Sequence, residues 1–143
     1  MRFLATGTRS HFFTFIAKMT SYSNTPQDIV QAQLDAYNAK DIDALLLTYA
    51  PDAEQYALHG ELLARGHAQM RPRFLTRFAE PDLHARLLNR TVMANLVIDY
   101  ELITRNFPDG VGTMEMLCVY EVAHGLIQKA SFAPGEIRMN ILS

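Results

Sequence analysis

Two acids two residues apart, Asp99 and Glu101 in the stretch NLVIDYELI (95–103), are the residues of this chain best placed by type and spacing to do chemistry. Side chains alternate faces along a strand, so both acids share one side, with backbones about 6.6 Å apart. Two carboxylates in one apolar cavity repel each other and lose hydration, which keeps a proton on one of them near neutral pH. A neutral acid beside an ionised one supplies a general acid and a general base together, suited to proton transfer or water activation. The same alternation allows a plainer arrangement. The acids could face water while Leu96, Ile98, Tyr100 and Leu102 fill the core. Pattern alone leaves both orientations open.

Other polar groups fall where they could assist. Gln33 and Tyr37 lie one helical turn apart, and Gln33 sits on an otherwise apolar face, where a buried amide needs partners. Met116, Cys118 and Tyr120 share one parity of TMEMLCVYEV. The histidines (His11, His59, His67, His84 and His124) form no HxH or HExxH pattern and no cluster with cysteine, so neither a metal site nor a cofactor is expected. His59 and His124 belong to turns. Cys118 reads as a small core residue rather than a nucleophile. No glycine-rich phosphate loop and no GxSxG motif is present.

The chain must carry these groups on one small scaffold. Its 143 residues, 49% of them hydrophobic, suit one domain with a real core. A net charge of −2 with mixed signs gives no footprint for nucleic acid. A single cysteine excludes an internal disulfide framework. No apolar run approaches the roughly 20 residues that span a bilayer, so no membrane partner is expected and the chain is expected to be soluble and cytoplasmic. Residues 1–24 read as a loosely ordered extension, with Met19 as a second potential start, and residues 25–143 as the domain.

Local signals set the elements. Thr25 should cap a helix with Pro26 at its first position and Ile29, Val30, Leu34 and Tyr37 on one face, ending near Ala39–Lys40. Asp41 should cap a second helix through Ile42, Leu45, Leu46 and Tyr49, stopped by Pro51–Asp52. Two short strands surround His59–Gly60. A third helix follows with Phe74, Leu75 and Phe78 inward, and Pro72 predicts a late start or a kink. Period two then takes over, with turns at Ala94–Asn95, Pro108–Gly110 and His124–Gly125; Asn95 is the expected positive-φ residue of the first. Helices followed by consecutive antiparallel strands predict α+β, with three helices packed in the concave side of a curved antiparallel sheet.

This order resembles the nuclear transport factor 2-like superfamily, the cone-shaped cystatin-like fold of SnoaL-like proteins and ketosteroid isomerase. The resemblance is carried by QLDAYNAKDIDALLLTYAPDAE, LLARG, HARLLNRTVMANLVIDYE and VYEVAHGLIQKASF, and spans about residues 26–134. It implies that Val97, Asp99, Glu101 and Ile103 turn inward. The row Leu96, Ile98, Tyr100 and Leu102 would then lie on the convex face, through which many relatives form homodimers. It further implies a small-molecule enzyme of isomerase, dehydratase or hydrolase type, acting on a largely apolar substrate. Asp99 and Glu101 would be catalytic, with Gln33, Tyr37, Phe74, Met116, Tyr120 and Phe132 lining the substrate site. Two departures count against borrowed mechanisms. Ala57 and Gln33 stand where ketosteroid isomerase carries its aspartate and a helix tyrosine, and Phe132 stands where limonene epoxide hydrolase carries a late-strand aspartate. The alternatives are a non-catalytic module binding a lipophilic ligand, or a dimeric scaffold with a filled core.

Overall fold

The structure, a computed structural model, describes residues 25–140; the expected N-terminal extension lies outside the described residues. Helix α1 spans Pro26–Asn38 as its cap demands, with the Asp28 N–H donating to the Thr25 hydroxyl oxygen at 3.3 Å. It stops where Lys40 takes a φ of 54° and the Asp41 N–H returns to the Ala36 carbonyl. Helix α2 spans Ile42–Leu46, its Ala44 N–H donating to the Asp41 carboxylate at 3.1 Å.

Here the structure corrects the expected boundary. Tyr49 opens strand β1 (Tyr49–Ala57) rather than closing α2. Thr48 turns both its N–H and its hydroxyl back onto the Leu45 carbonyl, which ends the helix early. Pro51 and Asp52 stop nothing; they sit exposed inside β1, where pairing jumps from Tyr49↔Ile127 to Glu54↔Lys129. A strand accepts proline where its ladder is already interrupted.

Strand β2 (Leu62–Arg65) leads into α3 (Gly66–Phe78), which runs unbroken through Pro72 instead of starting late. Phe74 and Phe78 face inward as the period requires, but Leu75 is 46% exposed and Met70 takes the inward place one turn before Phe74. Strands β3 (His84–Met93), β4 (Leu96–Phe107), β5 (Gly110–Ala123) and β6 (Leu126–Met139) complete the chain. At the β3–β4 turn the positive φ falls on Ala94, at 53°, rather than on Asn95.

The six strands form one sheet in the order β2-β1-β6-β5-β4-β3. It is mixed rather than wholly antiparallel. The chain leaves β2 through α3, re-enters at the far edge and winds back, so β6 arrives beside β1 in parallel. The helices pack against the sheet in an α+β arrangement, and two apolar clusters result. One gathers Ile29, Tyr49, Met70, Val97 and Ile127; the other gathers Leu34, Leu45, Phe78, Leu83 and Ile103. Phe74 and Met116 pack against both clusters, and an internal cavity opens beside them.

Candidate active site

Strand β4 alternates cleanly. Val97, Asp99, Glu101 and Ile103 are buried, whereas Leu96, Ile98, Tyr100 and Leu102 are only half-buried on the opposite face. Both acids therefore point inward, Asp99 fully shielded from solvent and Glu101 4% exposed. Their surroundings differ sharply.

Asp99 is ion-paired with Arg90 on the neighbouring strand. Arg90 Nε donates to Asp99 Oδ1 at 2.7 Å and Nη2 to Oδ2 at 2.8 Å, a two-pronged pair that satisfies both carboxylate oxygens. The remaining Nη1 donates to Gln31 Oε1 on α1 at 2.8 Å, tying the sheet to the helix. Simple alternation would not place Arg90 here. Ala85 and Leu87 lie opposite Ile103 and Glu101, and strict period two would then turn Asn89 inward and Arg90 outward. The register slips between Leu87 and Asn89, leaving Leu88 as an extra residue, and Arg90 lands opposite Asp99. Asp99 is not among the groups that line the cavity.

Glu101 does line it. Its Oε1 is buried with no hydrogen-bond partner among the described residues, and its Oε2 meets only the Cys118 thiol at 3.8 Å. Burial, followed by the negative charge of Asp99, pushes the Glu101 carboxyl up to about 7; the Cys118 thiol and Arg90 oppose the rise. A carboxyl with that affinity takes and returns protons readily at neutral pH. Burial holds the Cys118 thiol well above its ordinary range, which argues against a thiolate nucleophile.

The cavity has a volume of about 330 Å³, within the usual range for a small-molecule site. All six residues expected to line it do so. Gln33 and Tyr37 come from α1, Phe74 from α3, Met116 and Tyr120 from β5, and Phe132 from β6. Tyr37 stands edge-on to Phe74 and Phe78, with ring centres 6.3 and 5.5 Å away, and Tyr120 stands edge-on to Phe132 at 6.4 Å. The Tyr120 hydroxyl donates to Gln33 Oε1 across 3.4 Å. Burial keeps the Tyr120 phenol well above its ordinary range, so it is a neutral donor.

Several lining groups escaped the sequence reading. Gln55 on β1 is 2% exposed and donates to the Tyr49 hydroxyl across 3.4 Å. Both amide contacts are long, which leaves each amide reach toward a bound molecule. Alternation from buried Ala53 would have pointed to Gln55, two residues before Ala57. Arg73, Thr76 and Arg77 on α3 form part of the wall, and Arg73 and Thr76 are also exposed, which marks the mouth. Among the described residues, no group of three or more His, Cys, Asp or Glu is placed to hold a metal, and no helix is long and apolar enough to cross a membrane.

Fold and cavity together define a class, the small α+β domains with a cystatin-like sheet wrapped around an internal site. Residues 30–130 match the SnoaL-like domain, and the chain belongs to that family. No curated protein matches it in sequence. An uncharacterised cystatin-fold protein from Novosphingobium aromaticivorans superposes with a TM-score of 0.71 at 23% identity, covering 76% of this chain and 97% of its own. A Sinorhizobium meliloti protein proposed to be a polyketide cyclase superposes at 0.61 with 25% identity, covering 74% and 94%. IdmH from Streptomyces antibioticus, also proposed to be a polyketide cyclase, superposes at 0.64 with 18% identity, covering 76% and 91%.

Proposed function

We propose that this protein is a small-molecule enzyme that moves protons on a largely apolar substrate held in the cavity, with Glu101 as the single acid/base group. The observation that carries this reading is the unpartnered, buried Oε1 of Glu101 in a cavity wall, on a carboxyl that titrates near 7. A buried polar atom without a partner is costly, and a ligand that engages it relieves the cost. Asp99, expected as a second catalytic acid, has both oxygens on Arg90 and serves instead to raise the proton affinity of Glu101.

One free carboxyl suits some reactions better than others. Isomerisation, and dehydration or cyclisation next to a carbonyl, need one group to take a proton from carbon and later return it. Hydrolysis needs a base for water and a separate acid for the leaving oxygen. The committed Asp99 leaves this site with one, so α-proton chemistry is favoured. Tyr120 would steady the developing enolate oxygen by turning its one hydroxyl proton from the long contact with Gln33 Oε1 onto the substrate. The two relatives proposed to be polyketide cyclases are consistent with chemistry of that class.

The test is proton exchange. Wild type and Glu101→Gln are incubated in D₂O with β-hydroxy and β,γ-unsaturated ketones, and deuterium at the α-carbon is followed by NMR. Enzyme-dependent exchange that falls by about 10²–10⁴ in the variant supports the reading. Exchange equal in both proteins would remove Glu101 from the chemistry. The competing reading, a non-catalytic module for a lipophilic ligand, is favoured by Ala57 and by the commitment of Asp99 to Arg90; it requires tight binding without exchange. We also propose a homodimer through the outer β4 row of Leu96, Ile98, Tyr100 and Leu102.

A further inference from the structure

We propose that the substrate carries an acidic group at the end that stays in the cavity mouth, and that Arg73 is the residue that binds it. This rests on the cavity being the substrate site, as above. Arg73 and Arg77 stand four residues apart on α3, so both side chains lie along one row of the helix. Both line the cavity wall. Phe74 and Phe78, one position later in each case, face the interior and fix the orientation of that row.

The charges of this rim do not balance. Arg77 donates to Glu80 at 2.9 Å, but the same carboxylate also accepts from Arg105 Nε at 2.8 Å and Nη2 at 3.0 Å. One acid thus answers two guanidiniums. Lys40 Nζ donates to the backbone carbonyl of Glu80, and the Asp82 carboxylate accepts from Asn106. Arg73 forms no ion pair or hydrogen bond among the described residues. The Thr76 hydroxyl is turned back onto the Pro72 carbonyl at 2.9 Å, which leaves the arginines as the donors for an anion at this rim.

The interior sets the opposite requirement. Phe74, Met116 and Phe132 offer apolar surface, and Glu101, once ionised, repels any second carboxylate placed beside it. A ligand with an apolar body and one acidic end therefore enters body first. Its reacting carbon meets Glu101 while its acid stays outside, paired with the planar fork of Arg73.

The test uses decanoate and naphthylacetate, each against its own methyl ester, in calorimetric titrations of the full chain at low and high salt. The variants are Arg73→Gln, Arg86→Gln as an exposed charge control on β3, and Glu101→Gln. Each acid should bind wild type about tenfold or more tighter than its ester, as one charge-assisted pair allows. The preference should shrink at high salt, vanish in Arg73→Gln and persist in Arg86→Gln. Equal affinity of acid and ester in wild type, or a preference that survives Arg73→Gln, overturns the Arg73 assignment and leaves Glu101 untouched. If the preference holds while Glu101→Gln leaves proton exchange unchanged, the mouth assignment stands and the catalytic one falls. Failure of both acids and both esters to bind wild type overturns both.

Discussion

Arg90 and Asp99 face each other across the β3–β4 ladder, joined by two hydrogen bonds of 2.7 and 2.8 Å, with Asp99 fully buried and the arginine side chain 10% exposed. Removing one partner of such a pair leaves a buried charge without an answer. Arg90→Met should therefore cost about 3–5 kcal/mol in urea unfolding. The double variant Arg90→Met/Asp99→Leu should recover most of that loss, because a well-packed apolar pair replaces the ions. A double variant as unstable as the single one would mean that packing, not charge, is what Arg90 provides.

Glu101 ties stability to pH in the direction opposite to an ordinary surface acid. Its folded carboxyl titrates at about 7 against a reference of 4.5, so the folded state binds the extra proton between those values. The contribution is complete below about pH 4.5, declines as pH rises through 7, and then levels off; its full span is on the order of 3 kcal/mol. Glu101→Gln should flatten this component of the profile. If Glu101 is the base, kcat/KM should rise with pH through the same region.

Ala94 occupies the left-handed region at a φ of 53°, which its Cβ disfavours. Ala94→Gly should raise the thermal midpoint, with a gain of roughly 0.5–1 kcal/mol after the greater freedom of the unfolded glycine chain is counted. No change in binding should accompany it.

The outer face gives a prediction about assembly. Ile98 lies between Thr91 and Val119 on the neighbouring strands, within the half-buried apolar row. Ile98→Lys should convert the proposed dimer into a monomer in sedimentation experiments. A monomeric wild type would end the proposal.

What could be read from sequence divides by the range of the forces involved. Thr25, Pro26 and Asp41 announced their helices because capping is local chemistry. The inward course of Val97, Asp99, Glu101 and Ile103 was one of two orientations allowed by alternation, and the family resemblance pointed to the one the structure shows. The parallel pairing of β1 with β6 had no local signal, since it follows from where the winding sheet returns. Pro51 misled because it suggested the end of a helix, whereas the chain uses it within an interrupted strand. Arg73 and Arg77 went unnoticed because arginines on a helix normally face water, and only the tertiary packing makes a cavity rim of that row. Arg90 was hidden for a different reason: period two, counted along β3, assigns it to the wrong face.

Read as text, Leu88 behaves like a one-letter insertion that shifts the frame of everything after it on β3. A relative with an uninterrupted strand, aligned letter by letter without a gap, would have its inward residues matched to this protein's outward ones from Leu88 to the hairpin. Closing the gap by deleting Leu88 would keep Arg90 opposite Asp99, since the ladder on either side is already in step. The Arg90–Asp99 pair therefore belongs to the ladder beyond the extra residue, and the length of the strand before it can change by one without parting the two charges.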